Sequence, residues 1–295
     1  MSDQAVVIWG ELLWDLFPDG PQLGGAPANV AWHLGQAGGW ARLATRVGDD
    51  ERGRAAIARL EPVVDTSLVQ IDRERATGVV EVTVEAGEPR YTLVPGRAWE
   101  GIACTGEIRA ALAEAGVLVY GTLAQRTREG LDGWRAAIAA ARATCVKVYD
   151  VNIRGTELGD AIAEGIAAAD VIKVNDRELA ALAKLYGWAD PIGALRDRDT
   201  GRRVLAVTHG AGGSTLYSER GTHAIRGVHA RPGGDHVGCG DAYLAILIHG
   251  LTLGWDLETC GDAASRWAAA VAEARGATPT FSETRAADLL GEAAA

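Results

Sequence analysis

Short apolar stretches recur along the chain, each followed by a segment of helical spacing, and this alternation constrains the fold more than any other feature. The first stretch is Val6-Val7-Ile8-Trp9-Gly10. Others are 43–47, Val117-Leu118-Val119-Tyr120, Val146-Lys147-Val148-Tyr149-Asp150, Val171-Ile172-Lys173-Val174 and Val204-Leu205-Ala206-Val207. Helices are expected over 26–36, 50–60, 128–143, 159–168 and 176–186. In the first of these, Ala28, Ala31, Trp32 and Gly35 fall at helical spacing; Gly24-Gly25 opens the segment and Gly38-Gly39 closes it. From 241 to 274 the chain reads as almost wholly helical and rich in alanine. Apolar strands linked by helices predict an α/β fold with a mostly parallel sheet covered on both faces.

Residues 76–95 break this pattern. Thr77-Gly78-Val79-Val80-Glu81-Val82-Thr83-Val84 alternates, Gly87-Glu88-Pro89 punctuates it, and Arg90-Tyr91-Thr92-Leu93-Val94 follows. The spacing predicts a hairpin with one polar side, inserted as a small sheet that serves as a lid. The expected organisation is one domain over residues 1–295, with lid strands at about 11–23 and 76–100.

The 295 residues are 48% hydrophobic and 23% charged, the make-up of a folded globular chain. A formal net charge of −10 argues against a nucleic-acid partner, since a phosphate backbone is met by a basic face. No stretch approaches the ~20 apolar residues that span a bilayer, so no membrane partner is expected. The first residues lack the basic region and apolar length of a signal peptide. Cys104, Cys145, Cys239 and Cys260 form no CxxC pair, and the histidines do not cluster with them. Neither a disulfide framework nor a zinc site is expected, and a reducing cytoplasm fits best.

Ligands of open α/β sheets sit beyond the carboxyl ends of strands. The polar residues after Gly10, Tyr149, Val174 and Val207 are therefore the ones to weigh. Gly238-Cys239-Gly240-Asp241 precedes a long apolar helix. Small residues there let a ligand approach the backbone, and free amides at a helix start form an anion site. Asp241, in that first turn, suits a general base toward an attacking hydroxyl; the plainer reading is a glycine-rich turn with Asp241 as N-cap. Thr208-His209-Gly210-Ala211-Gly212-Gly213 reads either as part of a nucleotide cleft or as a hairpin turn. Asn175 and Glu178 share a face at a helix start, for magnesium-bound water or as a capping box. Strand alternation places Asp150, Asn152 and Arg154 on one side, with Arg154 as a phosphate clamp or part of a solvated loop. Gly24-Gly25-Ala26-Pro27-Ala28-Asn29 would let a sugar lie against backbone, with Asn29 and Asp15 on its hydroxyls. Trp99, beside the lid strands, is the tryptophan expected at a ligand. No GxxxxGK[ST] loop is present, nor a GxGxxG after the first strand, which disfavours Walker-type ATPases and Rossmann dehydrogenases.

In order, Gly24-Gly25-x-x-x-Asn29, Asp150-x-Asn152-x-Arg154, Asn175-x-x-Glu178, Thr208-x-Gly210-x-x-Gly213 and Asp235-x-x-Gly238-x-Gly240-Asp241 resemble the ribokinase-like (PfkB) carbohydrate kinase family. The resemblance runs over nearly the whole chain, and the last segment is close to that family's DTxGAGD signature. Segments 24–34, 46–50, 65–70, 76–80, 121–126 and 150–154 are most similar to bacterial fructokinases.

The resemblance implies a three-layer α/β/α core with a small β-sheet lid and a homodimer through the lid. It implies ATP with Mg2+, transferring the γ-phosphate to a sugar hydroxyl, fructose to fructose 6-phosphate. By position, Asp241 would be the base and the amides of Gly238, Cys239 and Gly240 the anion hole. Asp15, Gly25, Asn29 and Arg154 would hold the sugar. Asn175, Thr208, Gly210 and Gly213 would serve the nucleotide, and Glu178 the metal through water. Two alternatives stand beside this. One is a 2-keto-3-deoxygluconate kinase, with Arg90, Arg97 or Arg126 as the cation for the substrate carboxylate. The other is a non-catalytic sugar- or nucleotide-binding regulator. Two departures mark the signature segment: His236 where the family usually has Thr, and Cys239 where it has Ala. This stretch often helps bind a monovalent cation, so His236 argues against K+ activation. A thiol at a helix N-terminus is also expected to have a lowered pKa, which would make Cys239 oxidisable.

Overall fold

The computed structural model describes residues 4–85, 88–153, 159–196 and 204–291. Its strands are β1 (Val6–Trp9), β2 (Leu13–Phe17), β3 (Gly20–Gly24), β4 (Ala41–Gly48), β5 (Val69–Asp72), β6 (Gly78–Glu85) and β7 (Glu88–Leu93). They continue with β8 (Val117–Tyr120), β9 (Val146–Asp150), β10 (Val171–Asn175), β11 (Val204–Thr208), β12 (Gly213–Ser218) and β13 (Gly221–Arg226). The helices are α1 (Ala26–Gln36), α2 (Glu51–Leu60), α3 (Gly106–Glu114), α4 (Arg128–Ala140) and α5 (Gly159–Ala168). They end with α6 (Asp176–Tyr186), α7 (Pro191–Leu195), α8 (Cys239–Leu253), α9 (Leu257–Ala272) and α10 (Glu283–Leu290).

Nine of these strands form one sheet in the order β13-β12-β11-β10-β9-β8-β1-β4-β5. From β11 to β5 every neighbour is parallel; β12 and β13 close the other edge as an antiparallel pair. The apolar run of β1 explains its place inside the sheet, where it is buried on both faces. Val6 and Ile8 join the hydrophobic layer that holds α1, α2, α8, α9 and α10, while Val7 and Trp9 join the one that holds α3 to α7. The result is a three-layer α/β/α core. Helix α8 packs between α1 and α9 and is buried continuously from Asp241 to Gly250, as a helix apolar all round requires.

Four strands form a second sheet, β3-β2-β6-β7. Two antiparallel hairpins meet through a parallel β2–β6 pairing, Leu13 opposite Gly78. Leu13, Val80 and Val82 form its own small core.

Two expected boundaries differ. The helix expected over 128–143 ends at Ala140, where the Arg142 guanidinium donates to the carbonyl of Ala115 and the Cys145 amide to that of Arg142, turning the chain into β9. The helical run after 241 is two helices, because Gly254 takes a left-handed conformation (φ 77°) and stops α8. Among the described residues no helix is long and apolar enough to cross a membrane.

Candidate active site

The chain leaves β1 toward β4 on one side and β8 on the other, so a crevice opens beyond the carboxyl end of β1. Gly25 caps α1 at φ 102°, and a Cβ there would stand 2.4 Å from the carbonyl oxygen of Glu11. Only glycine lets the start of α1 lie on the segment after β1. The helix then carries Asn29 into the crevice, where its Nδ2 donates to Oδ2 of Asp241 at 2.8 Å across 212 positions of sequence. The Oδ1 of Asn29 is buried and accepts no hydrogen bond, which leaves an acceptor for a ligand hydroxyl on a residue that lines the cavity.

Asp241 sits in the first turn of α8. Gly238 is the N-cap, at φ 76° and with no side-chain cap, so Asp241 is not the N-cap. The amides of Cys239, Gly240 and Asp241 precede the first intrahelical bond, which runs from the Ala242 amide to the Gly238 carbonyl. The loop before them is braced: the Asp235 carboxylate accepts from the amides of Val237 and Gly276, and the Asp235 amide donates to the Ala274 carbonyl.

A cavity of about 740 Å³ joins these parts. Asp15, Gly25, Asn29, Gly238 and Asp241 line it, together with Glu11, Arg126, His236 and the apolar Leu13, Val80, Tyr91 and Leu93 from the second sheet. The structure thus brings three sequence-predicted sugar contacts and the predicted base into one wall. Arg154 lies outside the described residues, as does the Arg90 side chain. Arg126 lines the cavity and Arg97 does not.

Asn175, Thr208, Gly210 and Gly213 gather elsewhere, at the carboxyl ends of β10 and β11, where Asn175 and Thr208 are register partners. Asn175 and Glu178 form a complete capping box: Oδ1 of Asn175 accepts from the Glu178 amide at 2.9 Å, and Oε2 of Glu178 accepts from the Asn175 amide at 2.8 Å. The Thr208 segment is a hairpin turn between β11 and β12, with Gly210 exposed and Gly213 buried. His209 ties this turn to α6, its Nδ1 at 2.8 Å from Asp176 Oδ1 and its Nε2 at 2.9 Å from Thr215 Oγ1.

Three expectations are corrected. Strand alternation does not extend past Asp150, because β9 ends there and Asn152 turns left-handed at φ 34°. Trp99 is fully buried and packs against Gly78, away from the cavity. The Cys239 thiol is not acidic: burial, with the neighbouring carboxylates of Asp235 and Asp241, pushes it up to about 12.

Sequence reasoning also passed over Lys173. Its ammonium is buried and lies 3.0 Å from Asp150 Oδ1, the residue beside it in the β9–β10 register. Burial alone would lower its pKa; the attraction of Asp150, Glu178 and Asp241 outweighs this and holds it above the ordinary lysine range. A single charge inside the apolar stretch Val171–Asn175 was the available signal.

Against this geometry, the pfkB family carbohydrate kinase profile matches residues 21–285, and the chain belongs to that family. A fructokinase of Klebsiella pneumoniae is 30% identical over 262 residues, covering 83% of this chain and 84% of the relative. An uncharacterized sugar kinase from Pyrococcus horikoshii, solved in complex with ATP, superposes with a TM-score of 0.84 at 25% identity over 98% of this chain and 99% of that one. A fructokinase from Xylella fastidiosa with bound ATP shares the fold, with a TM-score of 0.85 at 20% identity over 99% of both chains. The fold is the ribokinase-like one.

Proposed function

We propose that the protein transfers the γ-phosphoryl group of ATP to a sugar hydroxyl, fructose to fructose 6-phosphate, with Asp241 as the general base. The observation that carries this is the Asn29–Asp241 hydrogen bond, which aims a carboxylate into a cavity at the start of α8. Asp241 takes the proton of the attacking hydroxyl. The first-turn amides of α8 meet the charge that develops on the transferring group. Asp15, Gly25 and Asn29 hold the sugar, and the second sheet covers it from the other side and excludes water. Asn175, Thr208, Gly210 and Gly213 serve the nucleotide. The fructokinases among the relatives and the ATP held by the Pyrococcus neighbour support this assignment.

The residues present fit magnesium. That ion keeps several waters and uses one or two carboxylates with the substrate's phosphates. Glu178 is engaged in its capping box and would act through water. When bound, magnesium offsets charge on the phosphoryl oxygens. Four free cysteines accord with a reducing cytoplasm. A homodimer through the second sheet is the assembly we expect, with Tyr91, 43% exposed and edge-on to Phe17, on that surface.

One observation favours a second substrate. Arg126 in the cavity wall would meet a carboxylate, as in 2-keto-3-deoxygluconate. A coupled assay over fructose, ribose, 2-keto-3-deoxygluconate and adenosine separates the readings. The highest kcat/KM is expected for fructose; a preference for the acidic sugar would transfer the assignment to Arg126, and ligand binding without turnover would favour a regulator.

A further inference from the structure

Lys173 belongs to none of the roles above. A buried ammonium is tolerated only with close partners. Among the described residues it has three carboxylates from three elements: Asp150 of β9 in direct contact, Glu178 of the first turn of α6, and Asp241 of the first turn of α8. Asp150 accounts for one of them. The placement against α8 is not explained by that pair. A Cβ built on Gly240 would lie 3.0 Å from Lys173 Nζ and 3.7 Å from its Cε, and no other heavy atom would stand within 4 Å of it outside the helix and its flanking residues. The ammonium therefore stands against the backbone of the turn whose amides open toward the phosphoryl group. In a site of low dielectric, a fixed charge there acts strongly on any charge that develops beyond the amides.

We propose that Lys173 is a positioning residue for phosphoryl transfer: held by Asp150 behind Gly240, its ammonium fixes the first turn of α8, with Asp241 in it, against β10 and adds positive potential where the transferring group gains charge. This rests on the kinase reading. It makes Lys173 matter for the chemical step and not for sugar affinity, because it does not line the cavity.

A double variant separates this role from simple neutralisation of Asp150. Removing Lys173 alone strands a buried carboxylate and threatens folding, whereas replacing both members of a buried pair is well tolerated. Wild type, Asp150→Asn/Lys173→Met and Lys173→Gln are compared by thermal midpoint, kcat and KM for the sugar. Lys173→Gln keeps a hydrogen-bond donor toward Asp150 and carries the comparison should the double variant be unstable. The expected result is a folded double variant with sugar KM within about twofold of wild type and kcat lower by about a hundredfold. A double variant that turns over at the wild-type rate, or one altered only in KM, overturns the proposal. Wild type without sugar-dependent ADP release would instead remove the kinase reading itself, so the two failures are told apart by the control.

Discussion

Acidifying the protein from pH 7 to pH 5 is expected to cost about 2 kcal/mol of stability at His33 alone. This histidine lies on α1, one turn beyond Asn29, and is fully buried. Its Nε2 donates to the Ala277 carbonyl at 2.8 Å, and its Nδ1 accepts from Trp267 Nε1 at 3.1 Å. The ring is thereby held as one neutral tautomer; a proton on Nδ1 would face the indole N–H. Burial lowers its pKa from 6.5 to about 4, against the raising effect of the Ala277 carbonyl. Between those values the unfolded chain binds a proton that the folded chain refuses, so stability falls as pH drops through this window. The carboxylates of Asp50, Asp65 and Asp72 do not interfere. Burial would raise them, but hydrogen bonds and neighbouring arginines hold them below their usual 3.8, and their contribution is lost only at more acidic pH. Urea unfolding of wild type and His33→Gln at pH 7 and pH 5 isolates the effect. His249, also lowered to about 4 by burial, keeps its own slope in both proteins. The variant should lose about 2 kcal/mol less than wild type over this interval. Parallel losses in the two proteins would refute the neutral, locked ring.

Three further outcomes follow from the site. With its thiol pushed up to about 12, Cys239 should be inert at neutral pH, and peroxide should leave sugar-dependent turnover unchanged; Cys239-specific inactivation would contradict the raised pKa. Gly238→Ala places a Cβ 2.6 Å from that of Ala277 in a left-handed residue, so urea unfolding should show a loss of about 2 kcal/mol or more, together with reduced turnover; a wild-type midpoint would show that the turn can relax. Because His236 stands in the cavity wall where the family usually has Thr, turnover should be equal in sodium and potassium buffers, and a large stimulation by potassium would overturn that expectation.

Local chemistry was legible in the sequence, and long-range contact was not. Helix α1 was readable end to end because its spacing and its flanking glycines act over a few residues. The glycine-rich start of α8 was visible for the same reason, as small residues ahead of an apolar run. The partner of Asp241 was not: Asn29 lies 212 positions away and meets it only when α1 packs on α8. The Lys173–Asp150 pair depends on the register between two parallel strands, which no local pattern specifies. Cys239 shows competing effects, with the helix start favouring a thiolate and burial beside two carboxylates prevailing. Trp99 stood next to the right segment, but Gly78 drew it into the core.

Sugar-dependent ADP release by wild type and Asp241→Asn tests the central claim most directly. Asparagine keeps an oxygen for the Asn29 amide and removes the carboxylate's charge together with its capacity to take a proton. The prediction is fructose-dependent release by wild type and a folded variant slower by about 10²–10⁴-fold. Full turnover by Asp241→Asn, or a wild-type protein that phosphorylates no sugar, would contradict it.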